Sequence, residues 1–441
     1  MTEPVERTRL IWLICCISSL TVLSVQLTPR ISFLIVLSIC AMVLLCMRSF
    51  ARYHNKRKLA PEVVEKYCPR VSVLVAAHNE EAVIENTVAA LMQIDYPNYE
   101  LYVIDDRSTD KTGEILRQLH EKSAGTHPFT HQFKHRTRGE ADRPGKTAAI
   151  NDALKYINGE IICVLDADAR VKPDFLSKIV PYFYDSRVGA VQARKYLLNQ
   201  RQNLLTQCQH FEFCMDSYFQ LVRDTIHGAV ELRGNGMIIR RAALESLGGL
   251  NEQSLSEDLD LSTRMHIAGW DLRFAACDAV WEEGPHRLGA LLRQRIRWTE
   301  GCIIRYLELA PQLLGGRQVA FRAKLDMMQF VFEFVAPVLI LFENSLLAIK
   351  WLSGQLSTPT VPYLASALMV LTVYFLYATY RGMRRFDRAS VAGSIYGTIA
   401  VYLYFAILWP PIVFSLFVRI LGQKQRNLVW HRTQHYGVVS E

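Results

Sequence analysis

Glu160-Ile161-Ile162-Cys163-Val164-Leu165-Asp166-Ala167-Asp168 reads as a buried strand that delivers two carboxylates, one residue apart, at its carboxyl end. Strands covered on both faces read as continuous apolar runs, and Val71 to Ala77 is a second run of that kind. The pattern alternates outward from there. Glu80 to Gln93 reads as a helix, Glu100 to Ile104 as a strand ending in Asp105-Asp106, and Thr109 to His120 as a helix with Ser108 placed to cap it. Gln132 to His135 reads as a short strand, 138–145 as a polar loop, and Lys146 to Tyr156 as a helix. Past the paired acids, Pro173 to Tyr184 reads as a helix and Val188 to Ala193 as a strand. This alternation predicts an α/β domain with an open, mostly parallel sheet. Such sheets bind ligands at the carboxyl ends of their strands, where Asp105, Asp106, Asp166 and Asp168 all fall.

The flanks have a different composition. Of the 441 residues half are hydrophobic, and they cluster. Leu10 to Leu27, Ile31 to Met47, Val361 to Tyr380 and Val391 to Val418 carry no charge, and Met327 to Ile349 is interrupted only by Glu333 and Glu343. A membrane-spanning helix needs roughly 20 apolar residues, so the chain divides into two spans over 1–58, a soluble domain over 67–286, interfacial amphipathic helices over 287–326, about three spans over 327–421, and a basic tail over 422–441. Thr28-Pro29-Arg30 reads as the turn of a helical hairpin. Arg48, Arg52, Lys56, Arg57 and Lys58, with Arg381, Arg384, Arg385 and Arg388, place the soluble domain in the cytoplasm by the positive-inside rule. Five full spans would leave the basic tail outside; a break at Pro410-Pro411 into a re-entrant pair would return it. The formal charge of +8 clusters beside these runs, which favours anionic lipid headgroups over nucleic acid. The ten cysteines form no C-x-x-C pair, so reduced thiols are expected, with neither a zinc site nor a disulfide framework.

Several stretches carry chemistry. Asp166 and Asp168 suit a hard divalent cation shared with phosphate oxygens, or are two solvated loop acids. Lys146 follows Pro144-Gly145 at a helix start, where free N–H groups favour anions, although the spacing is not that of a Walker motif. Glu231-Leu232-Arg233-Gly234-Asn235-Gly236 is either a tight turn or a backbone that approaches a ligand closely. Ser256-Glu257-Asp258 opens a helix expected from Leu259 to Trp270; it reads as a cap with acids in the first turn, or as a source of one general base. Asp258 and Asp260, two apart on a helix, do not share a face. Gln294-Arg295-Ile296-Arg297-Trp298 lies in a run mixing Arg287, Arg293, Arg295 and Arg297 with leucines, as an interfacial amphipathic helix would.

In this order, across about residues 70 to 300 and between membrane-length apolar blocks, these motifs resemble the membrane-embedded family 2 glycosyltransferases. The resemblance implies a GT-A-type nucleotide-sugar-binding domain with N- and C-terminal transmembrane α-helices, and sugar transfer from a nucleotide diphosphate with inversion. It implies Ala77, Asn79, Glu80, Asp105, Asp106, Lys146, Asp166 and Arg297 for the donor, with Asn79 and Asp105 toward uracil and ribose and Arg297 as a bidentate diphosphate clamp. It implies Mg2+ or Mn2+ on Asp166 and Asp168, Asp258 as the base, and Gly234, Asn235, Gly236, Gln294 and Trp298 for the acceptor. Val188 to Lys195, Glu231 to Gly236, Glu257 to Leu261, Glu282-Glu283-Gly284 and Arg297 to Gly301 are most similar to members that glucosylate diacylglycerol. UDP-glucose, diacylglycerol and the bilayer are then the expected partners. The Gln-x-x-Arg-Trp pattern also occurs in processive polysaccharide synthases, so it leaves the acceptor open. A non-catalytic membrane scaffold or transporter has no need of the acidic set.

Overall fold

The computed structural model describes residues 67–123, 133–139, 142–324, 326–327, 349, 352–355, 375–422 and 437. The two N-terminal spans with their hairpin turn, most of the 327–349 and 361–380 runs, and the basic tail apart from Gly422 and Gly437 lie outside the described residues.

A seven-stranded sheet organises the rest, in the order β3-β2-β1-β4-β6-β5-β7. Its first half is the parallel sheet expected: β1 (Val71–Ala77), β2 (Tyr99–Asp105), β3 (Phe133–Thr137) and β4 (Ile161–Asp166). Alternate residues of β1 feed two cores. Val71, Val73 and Val75 pack with Ile84, Val88 and Leu91 of α1 (Ile84–Leu91). Leu74 and Ala76 pack with Ala149, Ile150 and Ala153 of α3 (Lys146–Ala153). The helix between them, α2 (Thr112–Ser123), covers β3.

The register fixes the site. Ala77 of β1 pairs with Asp105, and Ala76 pairs with Asp166, so three neighbouring strands end at one level, with an acid on each side of β1.

Beyond β4 the sheet turns mixed. A short α4 (Phe175–Ile179) runs into a 3-10 turn, replacing the single helix expected to Tyr184; Pro181 follows directly and lacks the N–H a continuing α-helix needs. β5 (Val188–Leu197) leads to the long α5 (Leu204–Thr225), capped by Asn203, whose side chain accepts from the Thr206 N–H. β6 (Met237–Arg240) runs antiparallel between β4 and β5, and α6 (Arg241–Ser246) follows it directly. α7 (Glu257–Ile267) begins two residues earlier than expected and precedes β7 (Asp271–Glu282), which pairs in parallel with β5. The long α8 (Leu288–Gly315) carries Gln294 to Trp298 and packs on α7.

The last helix, α9 (Val391–Gly422), is continuous, with Pro410 and Pro411 inside it. The re-entrant break expected at those prolines is therefore not formed. Each proline removes a helix hydrogen bond, but Leu408, Ile412 and Leu416 cluster with Leu291 of α8 and Cys208 of α5, which holds the helix across the gap. Among the described residues, Val391–Leu416 is the one helix long and apolar enough to cross a membrane.

Candidate active site

The loops after β1 and β2 lock onto each other. Asn79 adopts a left-handed conformation (φ 57), and its Oδ1 accepts the N–H groups of Thr109 at 2.7 Å and Asp110 at 3.3 Å. It therefore organises the neighbouring loop instead of capping its own helix. Ser108 does not cap α2 either: its hydroxyl accepts the Asn79 N–H, and its own N–H donates to Asp105 Oδ1 at 3.1 Å. The Ala77 carbonyl accepts the Asp106 N–H, and the buried Glu80 donates its N–H to the Thr112 hydroxyl. Asp105 and Asp106 are both 2% exposed. Asp106 accepts Arg138 Nη1 at 3.0 Å and the Gly145 N–H at 2.8 Å, so it draws the 138–145 loop back over the strand ends and sets the start of α3.

Lys146 opens that helix. Its ammonium bonds to Asp166 Oδ1 and lies 3.8 Å from Glu257. Burial opposes its charge, yet Asp166 and Glu257 outweigh burial and hold its pKa above the usual lysine range. Asp168 accepts the Glu283 N–H at 2.7 Å. Asp166 and Asp168 thus share the end of β4, with one cationic group already drawn to Asp166.

The 231–236 segment combines the two readings of it. Gly234 (φ 79) and Gly236 (φ 74) flank the fully buried Asn235. A Cβ at Gly236 would meet Val280 Cγ2 at 2.8 Å, so glycine is needed for packing as well as for the turn. Asn235 accepts the Asp166 N–H at 3.1 Å and donates to Glu282 at 3.0 Å. Glu231 is buried by its pairing with Arg223, Arg233 and Arg305. It anchors the segment from beneath.

Ser256 occupies the N-cap of α7 without a side-chain cap bond, which removes the capping reading of its hydroxyl. The Ser262 hydroxyl accepts the Leu232 N–H and donates to the Asp258 carbonyl, each at 2.7 Å; this joins α7 to the 231–236 segment and sets Asp258 beside Gly234. Burial, then the negative charge of Glu257, pushes the Asp258 carboxyl up to about 6. Asp260 turns away to Arg264 at 2.6 Å.

On α8, Arg295 is buried and paired with Glu212 at 2.7 Å. Arg297 is half-buried and has no acidic partner among the described residues. Trp298 meets two cations: the Arg295 guanidinium is 4.3 Å and the Lys195 ammonium 5.5 Å from its ring centre. Lys195 in turn pairs with Glu282 at 2.8 Å. Gly301 packs its bare Cα against Ser256, bringing α8 onto the segment that bears Asp258.

The strand ends, α3, the 231–236 turn, the start of α7 and the middle of α8 thus converge. Residues 69–301 match the family described as glycosyltransferase like family 2. The chain belongs to that family. Among curated relatives, the glycosyltransferase is 36% identical to the beta-monoglucosyldiacylglycerol synthase of Nostoc sp., over 88% of this chain and 80% of the relative. It is 35% identical to the synthase of that name from Synechocystis sp., over 83% and 75%. A mannosyltransferase of Pyrobaculum calidifontis, solved with GDP-Man and Mn2+, shares the fold at TM-score 0.56 and 23% identity, covering 84% of this glycosyltransferase and 98% of that chain.

Lys195, Glu282 and Glu212 have no part in the sequence-based site. Lys195 and Glu282 stand within the stretches that carry the family resemblance, but their pairing arises from the β5–β7 register. Glu212 sits mid-helix in α5 with no motif around it.

Proposed function

We propose that this glycosyltransferase moves glucose from UDP-glucose to 1,2-diacylglycerol with inversion, giving β-monoglucosyldiacylglycerol. The names and extent of the curated relatives support the reaction. The observation that carries the mechanism is the half-buried Asp258 carboxyl, pushed up to about 6 and set beside Gly234. A base poised near the working pH takes up a proton efficiently and is still ionised at pH 7.

Asp258 accepts the proton of the acceptor hydroxyl. The oxygen attacks the anomeric carbon from the face opposite the diphosphate, and the bond to UDP breaks with its electron pair leaving on the phosphate oxygen. Lys146 and Arg297 meet the diphosphate charge; Asp105, with the loop that Asn79 and Glu80 hold at Ala77, lines the nucleoside end; Asp106 holds the loop that carries Lys146. Gly234 to Gly236, Gln294 and Trp298 line the acceptor side. Asp166 and Asp168 alone supply two carboxylates, with no third His, Cys, Asp or Glu grouped beside them among the described residues, so oxygens of the diphosphate would have to complete a divalent cation's shell. Mg2+ or Mn2+ held by Asp166 and Asp168 would offset charge on the leaving diphosphate.

The apolar runs flanking the domain would anchor it in the bilayer as a multi-pass protein with the catalytic face cytoplasmic. The exposed side of α9 (Val391, Ile395, Ile399, Leu403, Ile407) suits contact with lipid. Gly437 donates its N–H to Glu283 at 3.1 Å, which supports a tail that returns to the catalytic side. A water-insoluble acceptor then enters sideways from the membrane.

Purified protein with labelled UDP-glucose, Mg2+ and diacylglycerol, followed by lipid extraction and thin-layer chromatography, tests this. A single labelled glucolipid that requires diacylglycerol is the expected result. Label retained in a high-molecular-weight glycan would replace the reading with a processive synthase.

A further inference from the structure

Tyr404 of the apolar helix α9 donates its hydroxyl to Glu212 Oε2 at 3.1 Å, and Arg295 donates to the same oxygen at 2.7 Å. One carboxylate oxygen on α5 therefore receives a bond from the apolar helix and another from the arginine stacked on Trp298. On the α9 side the surroundings are apolar: Tyr404 clusters with Leu291, Leu408 and Ile412, and Ile296 packs against them; on the other side the charges of Asp216 and Lys195 reach Glu212. A polar contact in such a place is unusually directional, because breaking it leaves a charged group without its partner away from water.

Arg295 and Trp298 are three residues apart on α8 and so share a face. The guanidinium carbon over the indole, at 4.3 Å from its centre, makes a cation–π contact that restricts the ring. Lys195 faces the same ring and reaches Glu282, which holds Asn235, which holds the Asp166 N–H. The path from the apolar helix to the end of β4 is continuous in space, with Trp298 as its middle link.

We infer that Arg295 is a positioning residue that sets the Trp298 ring for the acceptor, and that the Tyr404–Glu212 contact makes this setting depend on how α9 is docked. Acceptor recognition is then coupled to the seating of the apolar helix. The inference rests on the acceptor role of Trp298 proposed above.

The test uses the full-length protein in detergent, with UDP-glucose as donor and diacylglycerol as acceptor. Arg295→Lys keeps a charge for Glu212 but loses the planar stack; Tyr404→Phe keeps the ring but loses the hydroxyl. Both should raise the acceptor KM by about fivefold, as expected for loss of one such contact, while the donor KM stays at wild type. Tyr404→Phe covers the case in which Arg295→Lys fails to fold. In a Trp298→Leu background, Arg295→Lys should add nothing further, because residues acting through one group are not additive. An unchanged acceptor KM in Trp298→Leu itself would remove the role of Trp298 and the inference with it. A raised acceptor KM in Trp298→Leu, with wild-type values in Arg295→Lys and Tyr404→Phe or full additivity in the double variant, would overturn the inference alone.

Discussion

A methyl group on Gly234 would lie 3.4 Å from Oδ2 of Asp258. That is ordinary contact distance, so the glycine leaves a gap beside the proposed base that any side chain would fill. Its φ of 79° adds a second constraint. Gly234→Ala should destabilise the fold by about 1–2 kcal/mol through backbone strain. The loss in kcat/KM should be larger, on the order of a hundredfold, because a crowded acceptor hydroxyl misses its line of attack. Assays well below the melting temperature separate the two effects; a loss of activity no greater than the loss of folded protein would count against the placement of the acceptor.

The Asp258 carboxyl, raised to about 6 by burial and then by Glu257, sets the sign of two pH effects. As a base it must be ionised, so kcat/KM should climb with pH along an acid limb centred near 6. For stability, a pKa raised on folding gives a contribution that is complete below the ordinary aspartate range and lost as pH rises through 6. Asp258→Asn cannot ionise, so it should gain on the native protein as pH rises, by about 1.4 kcal/mol for each pH unit that separates the folded from the unfolded pKa of the aspartate. Its transfer activity should vanish while UDP-glucose binding survives. Melting curves at pH 4 and pH 8, beside calorimetric binding, check all three; loss of binding as the only defect would remove Asp258 from the base role.

Arg297 has no acidic partner among the described residues, in contrast to Arg295 two positions away. Its charge is therefore available to a ligand. Arg297→Lys should cut turnover strongly, because a point charge replaces a bidentate fork, yet leave the melting temperature within a few degrees, since the charge is kept and no ion pair among the described residues is broken. A wild-type rate would reject the clamp.

Asp168 serves its neighbour Glu283 as well as any cation. Asp168→Asn keeps an oxygen for that N–H and removes the charge. Activity should fall and its dependence on Mg2+ should weaken, with folding largely preserved. Full activity of the native enzyme in excess chelator would sink the metal assignment.

The half of the fold legible in the sequence is the half built from continuous apolar runs. β1, β2 and β4 are buried on both faces, so their composition alone marks them, and the acids after them were bound to share one edge once the strands were parallel. β6 has four residues and runs straight into a helix, which is too short to show a period. β7 is broken by register irregularities against β5 at Val188/Ala190 and Ala193/Arg194, and its polar residues hide the alternation. The same irregularity brings Lys195 toward Glu282, so that part of the site was hidden for the same reason. Asp258, Asp166 and Lys146 could be singled out because each opens or closes an element. Glu212 could not, because a glutamate in the middle of a helix announces nothing until α8 and α9 are laid against it.

Glu231 shows how far a motif residue can stand from the chemistry. It sits in the Glu-Leu-Arg-Gly-Asn-Gly stretch, yet its carboxylate, 1% exposed, accepts Arg305 at 2.8 Å, Arg233 at 2.9 Å and Arg223 at 3.1 Å. Burial alone would raise its pKa, but the arginines, Arg305 foremost, outweigh burial and hold it far below the usual carboxylate range. A depressed value gives stability that is present above the ordinary glutamate pKa and lost only as pH falls into strongly acid solution. Glu231→Gln removes the charge while keeping the shape, and takes from the fully buried Arg305 the carboxylate charge it bonds at 2.8 Å. Breaking a buried pair from one side costs about 3–5 kcal/mol, so this variant should lose far more stability than Asp168→Asn. Its donor KM, measured on whatever folded protein remains, should be unchanged, since both carboxylate oxygens are taken up by arginines. Glu231→Gln with native stability would mean that the three arginines are held by the surrounding backbone, and the anchor role of this residue would fall.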